Sequence, residues 1–156
     1  MTYATLIEER YAEAVKGIKE EWFNTQSTKW YEYIIGLSDD LKICYSTVVF
    51  HNQIFNGGFH QYFVNGYGQF AQITINSLRT IGAIKKATLL EKAIGIVNYN
   101  HYSDEVFRRK LLNNQIPKLF DGDDLFEPLD ELDVIYYNSE NEDIERLLGI
   151  YLSPKK

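Results

Sequence analysis

The sequence is poor in the residues that cross-link or anchor small proteins. Its 156 residues include one cysteine, one methionine, three prolines and three histidines. A single cysteine excludes an intramolecular disulfide framework and any cysteine-rich zinc module. Long apolar runs are missing too, and no stretch approaches the ~20 apolar residues that a bilayer span demands. Glu8, Glu9 and Arg10 stand where a secretory signal would need an apolar run, so the expected location is the cytoplasm. There is no phosphate-binding loop, dinucleotide fingerprint or nucleophile elbow. Repeats and low-complexity linkers are absent as well. The expected organisation is one domain over residues 1–156, because a chain of this length buries roughly two-thirds of its unfolded surface in one core.

Charge is missing from the middle of the chain. Residues 43–78 contain no Asp, Glu, Lys or Arg. Asn52, Gln53, Asn56, Gly57, Gly58, His60, Gln61 and Asn65 interrupt this stretch, so it reads as a central element enclosed by the rest of the fold. Polar side chains enclosed in this way need hydrogen-bond partners. Around it the charge is asymmetric. Residues 79–118 carry a net +5, and residues 119–156 a net −8, within a formal total of −6. Such poles either form a charged surface or pack together and cancel.

The periodicity throughout is helical, and no alternating strand pattern appears. Ile7, Tyr11, Ala14, Val15, Ile18 and Trp22 recur at spacings of three and four. A polar break follows at Asn24–Thr28, then a short stripe of Trp30, Tyr33, Ile34 and Leu37. Ser38 followed by Asp39 and Asp40 suits a helix start. Leu41, Cys44, Tyr45, Val48, Val49, Asn52 and Phe55 continue at helical spacing to Gly57–Gly58, where the helix is expected to end with Gly57 at positive φ. Further helices are expected from Phe70 to Ile81, Ile84 to Val97 and Ser103 to Leu112. Two more helices follow, with stripes of Leu125, Leu129, Leu132 and Tyr136, and of Ile144, Leu147, Leu148, Tyr151 and Leu152. Ser139 and Glu142 have capping-box spacing before that final helix. The expected fold is an all-α bundle of about seven or eight helices with a Gly-Gly corner at its centre.

Two groups of residues are candidates for function. Opposite the Leu125–Tyr136 stripe, at 100° per residue, stand Asp123, Glu127, Asp130 and Glu131. The other group is the corner itself, FHNQIFNGGFHQYFVNGYG over residues 50–68. Asn52 and Asn56 share a helix face there, and Gly57, Gly58, Phe59, His60, Gln61 and Asn65 complete the corner. Asn and Gln amides both donate and accept, so they can satisfy a buried backbone corner, which is their usual role, or line a polar ligand pocket. Cys44 and His51, two turns apart, stand about 10 Å apart along one helix, too far for one zinc ion or for a nucleophile–base pair. Asp121, Asp123 and Asp124 begin an acidic loop, but Phe126 and Leu132 stand where a calcium-binding EF-hand loop needs Gly and Glu. No metal site and no cofactor is implied.

The run Asn56-Gly57-Gly58-Phe59-His60-Gln61-Tyr62-Phe63, followed by Asn65 and Gly66, resembles the signature of the bacterial DNA-mimic-protein-like family. Ser77–Ala83 and Leu129–Asp133 with Tyr136 are similar to two further, less specific family patches, and the resemblance covers roughly residues 35–152. It implies an all-helical fold. For the family's named member it implies an acidic surface that occupies a DNA-binding protein in place of DNA. The expected function is therefore that of a non-enzymatic protein presenting its acidic C-terminal helices to a basic partner, such as a DNA-binding protein or a basic toxin. The alternative is a small enzyme or ligand-binding domain with a polar pocket at the corner. Direct nucleic-acid binding by Arg79, Lys85, Lys86, Lys92 and Arg108–Lys110 is disfavoured by a pI of about 5.1. No membrane partner is expected. The oligomeric state stays open, with a homodimer compatible.

Overall fold

The computed structural model describes residues 1–24, 27–139 and 141–154. The expected break at Asn24–Thr28 lies partly outside those residues, and the acidic Glu140 lies wholly outside them. The architecture is all-α, with no strand among the described residues. The helices are α1 (Tyr3–Val15), α2 (Lys29–Ile35), α3 (Asp39–Val64), α4 (Ala71–Ile81), α5 (Ile84–Val97), α6 (Asp104–Leu112), the single turn α7 (Pro117–Phe120), α8 (Phe126–Tyr137) and α9 (Ile144–Leu152). Short 3₁₀ turns stand at Glu20–Asn24 and Tyr67–Phe70. No helix is long and apolar enough to cross a membrane among the described residues.

The uncharged segment covers all of the central helix α3 after its first turn and most of α4. α3 packs against α1, α4, α8 and α9, and Cys44, Phe50, Ile54, Phe59, Tyr62 and Phe63 are fully buried along it. A charge on most of its faces would have no water and no partner, which accounts for the composition. Small hydroxyls take the places where α3 and α4 meet. Ser46 and Ser77 share a hydrogen bond of 2.8 Å, and each also bonds back to a carbonyl of its own helix. The thiol of Cys44 points at the Ile7 carbonyl, 3.7 Å away, and burial pushes its pKa up to about 12. That describes a packed, unreactive sulfur.

The Gly-Gly corner is a kink within one helix instead of a helix end. Gly58, and not Gly57, carries the unusual backbone, at φ 80° and ψ −175°. The helix resumes at Phe59 because an outside group caps the restart: the Phe59 N–H donates to Asp133 Oδ1 of α8 at 2.8 Å. A Cβ on Gly58 would sit 2.1 Å from Asp133 Oδ2. The glycine is thus required twice, by its dihedral angles and by the carboxylate above it.

A second correction concerns Ser139 and Glu142, which do not form a capping box on α9. Asp143 is the N-cap, its carboxylate accepting from the Arg146 N–H. Glu142 instead reaches α5 and accepts from the N–H groups of Lys85 (2.7 Å) and Lys86 (2.8 Å). In return the buried Lys86 ammonium donates to the Ser139 carbonyl (2.8 Å) and hydroxyl (2.7 Å) just past the end of α8. A carboxylate at the positive end of one helix and an ammonium beyond the negative end of another are both favourable.

Candidate interaction surface and polar corner

The acidic side chains stand on the outer face of α8 and in the loop before it. Leu125, Leu129, Leu132 and Tyr136 are all buried beneath, and a helix with that stripe inside must turn Glu127, Asp130 and Glu131 outward. Asp123, Glu127, Asp130 and Glu131 are exposed. None of the ion pairs among the described residues involves them. Asp133 is separate from this face. It is buried and serves the α3 kink, and burial pushes its carboxyl above the ordinary range despite the Phe59 N–H that holds it down. The same outer face turns apolar toward its C-terminus, where Val134 is 59% exposed and Ile135 52%. Sequence periodicity did not single out these two, because a stripe of buried leucines says nothing about apolar residues on the far side.

The motif residues divide. Phe59, Tyr62 and Phe63 are core, while Phe55 is 56% exposed and leans on Tyr137 at 5.3 Å between ring centroids. Asn52 and Asn56 are exposed, contrary to the reading in which they lock a buried corner. The amides that tie the kink are others: Gln53 Oε1, before it, accepts from Gln61 Nε2 (3.2 Å) and Asn65 Nδ2 (3.1 Å), after it. His60 is half-buried and stacked on Phe126 at 4.1 Å. The polar side chains do not converge. Asn52 lines a groove with Ala4, Val48 and Leu148, whereas Asn65 lines a different one with Trp22, Trp30 and Leu111. Asn56 is exposed and its side chain makes no hydrogen bond among the described residues, so Asn56→Ala is expected to change stability by no more than about 0.5 kcal/mol. Gln53→Ala, which strips the acceptor from two amides, is expected to cost about 1 kcal/mol. Parallel urea melts of the two variants check the contrast.

One histidine of the corner segment, His51, has a perturbed environment. His51 Nδ1 and the Tyr136 hydroxyl share a hydrogen bond of 2.7 Å. Burial, and then the nearby Lys86 ammonium, lower the His51 pKa from 6.5 to about 4. The fold thus holds His51 neutral where the unfolded chain protonates it. Between about pH 6.5 and about pH 4 the unfolded state binds more protons. This contribution to stability is complete above that window and is lost as pH falls through it. Melting temperature is expected to drop between pH 7 and pH 5, and to drop less in His51→Gln, as calorimetry at the two pH values would record. Only three-dimensional proximity to Lys86 and Tyr136 reveals this histidine, since neither is its neighbour in sequence.

Among the described residues, no group of three or more His, Cys, Asp and Glu side chains is placed to hold a metal ion. In comparison with known families, the family model for the DMP19-like protein matches residues 35–154. No curated protein and no solved structure matches the chain significantly. The matched span begins at the last residue of α2 and runs past α9, so it includes the kink, the Glu142–Lys86 exchange and the acidic face.

Proposed function

We propose that this chain, which belongs to the DMP19-like protein family, is a non-enzymatic interaction protein whose α8 face engages a basic protein in place of DNA. The observation that carries the reading is the set of exposed carboxylates, Asp123, Glu127, Asp130 and Glu131, left without a cation among the described residues. A protein that binds DNA neutralises phosphate charge with Lys and Arg. A row of unpaired carboxylates on a rigid helix offers those same side chains a counter-charge. Glu127 and Glu131 are one turn apart, about 6 Å along the axis, and the buried leucine stripe fixes their direction. Association through such a face is fast and salt-sensitive, because charge complementarity acts mainly on the encounter. Val134 and Ile135, on the same helix, add an apolar contact that an encounter driven only by charge would lack.

The ligand-pocket reading of the corner has less support, since Asn52 and Asn65 line separate grooves and Phe59, Tyr62 and Phe63 are packed core. The test is capture from native bacterial lysate at low and high salt, with each retained protein identified and challenged with duplex DNA. Retention of a DNA-binding protein at low salt, released by salt and by DNA, supports the proposal. Retained proteins that DNA leaves in place would contradict the mimic reading.

A further inference from the structure

α5 and α8 pack side by side and leave a groove of about 490 Å³ between them. Ile84, Lys85, Leu89 and Lys92 line it from α5, and Val134 and Ile135 from α8. Leu89 is buried, whereas Ile84, Val134 and Ile135 are each more than half exposed. Three large aliphatic side chains exposed along one groove form a contiguous apolar patch, which marks an interaction surface. The charge of the groove is the reverse of the protein's. The chain carries a formal −6, yet among the described residues no carboxylate lines the groove. Lys85 and Lys92 are exposed and in no ion pair among the described residues. Glu142, close to Lys85, is buried and held by two backbone N–H groups at the start of α5. The two lysines stand two helical turns apart on α5, about 10 Å along its axis.

We infer that the α5–α8 groove docks an amphipathic helix of a partner protein, apolar along one face and acidic along the flank that overlies α5. A groove between two adjacent helices is shaped for the side-chain ridge of a third, and such docking uses apolar anchors at spacings of three and four. Ile84, Val134 and Ile135 receive the apolar face, and Lys85 and Lys92 meet carboxylates seven residues apart. An extended peptide fits less well, because its side chains alternate between faces and neither helix offers a backbone edge to pair with. A flank of lysines would face Lys85 and Lys92. The opposite flank runs along α8, where the exposed Glu131 stands one turn before Ile135 and favours neutral or basic side chains. This occupant is opposite in charge to the basic protein proposed for the α8 carboxylates, and its docking does not depend on that reading. Val134 and Ile135 border both surfaces.

The test is fluorescence anisotropy of two labelled synthetic peptides of three heptads each, titrated with the full chain. Both carry leucine at the a and d positions and glutamine on one flank, and the other flank is glutamate in one peptide and lysine in the other. The glutamate peptide is expected to bind saturably and at least about tenfold more tightly than the lysine peptide. The net charge of the protein alone would favour the lysine peptide, so this preference reports the groove. Lys85→Glu/Lys92→Glu is expected to reverse the preference. Should Lys85→Glu, beside Glu142, unsettle the fold, Lys92→Glu alone is expected to cut the preference at least about threefold. Ile84→Gln/Ile135→Gln, one exposed position on each wall, is expected to weaken the glutamate peptide at least about fivefold with an unchanged melting temperature. No saturable binding, a preference for the lysine peptide, or a preference that the lysine variants leave intact would overturn the inference. So would a dimer of the native chain in sedimentation that Ile84→Gln/Ile135→Gln returns to monomer, because a second copy would then fill the groove.

Discussion

Gly58→Ala is expected to unfold the protein at a temperature lower by roughly 5–20 °C, while Gly57→Ala, one residue earlier, barely moves the transition. At φ 80° and ψ −175° the Gly58 backbone lies in a region that is essentially reserved for glycine, and a side chain there costs about 1–3 kcal/mol. The added methyl would also stand 2.1 Å from Asp133 Oδ2. The carboxylate must then withdraw from the Phe59 N–H, which costs a further ~1–3 kcal/mol for a buried donor left unpaired. Together these make about 2–6 kcal/mol, a large share of the ~5–15 kcal/mol that holds a domain together. Gly57 is different. It is exposed, and the Cβ of an alanine there would meet the end of the Gln61 side chain at 2.0 Å. Moving that side chain aside gives up its hydrogen bond to Gln53 Oε1, and the Gln61 Cβ at 2.9 Å must shift slightly. The loss of about 1 kcal/mol is offset by the roughly 0.5–1 kcal/mol that alanine in a helix recovers relative to glycine. Asp133→Ala relieves only the clash, so it should rescue Gly58→Ala in part. Equal effects at the two glycines in a thermal melt would remove the argument.

The second large effect is expected at the exchange of charges between helix ends. Lys86→Met should cost about 2–4 kcal/mol, because the Ser139 carbonyl and hydroxyl lose a charged donor inside the protein. Glu142→Ala should cost about as much, since two N–H groups at the start of α5 lose their acceptor. The double variant should cost clearly less than the two losses added together. Burial lowers the Lys86 pKa and the Glu142 carboxylate is the first influence that raises it again. Each single variant therefore leaves the other charge without its compensation, and the double variant leaves none. Denaturant melts of the four proteins give the coupling directly, and strict additivity would mean that the two charges act independently.

Much of the fold follows from local pattern. The 3.6-residue period alone placed α4, α5, α6, α8 and α9, and the buried leucines of α8 sit where that period puts them. The misreadings share one physical origin, which is that a cap can come from anywhere in the chain. Ser139 and Glu142 have the spacing of a local capping box, yet Glu142 serves α5 and Ser139 serves Lys86. Two adjacent glycines read as a helix end, yet the carboxylate of Asp133 lets the helix restart after one non-helical residue. The absence of charge over residues 43–78 makes the polar corner read as buried. The kink rotates the second half of α3, so that Phe59, Tyr62 and Phe63 turn inward while Asn52, Asn56 and Phe55 remain outside. The acidic face needed only the helical period. Nothing local couples α5 to α8, and the groove between them becomes visible only in three dimensions.

The most direct measurement is competition between this protein and duplex DNA for a DNA-binding protein captured at low salt, made with the native chain and with Glu127→Gln/Asp130→Gln/Glu131→Gln. The triple change moves the formal net charge from −6 to −3. All three side chains are exposed, so each change should shift stability by no more than about 0.5 kcal/mol. If α8 stands in for phosphate, the native chain displaces the DNA, and the triple variant displaces it at least about tenfold less effectively with a flatter dependence on salt. A triple variant that stays folded and competes as well as the native chain at every salt concentration would contradict the account, and would leave these carboxylates as a solvated helix face.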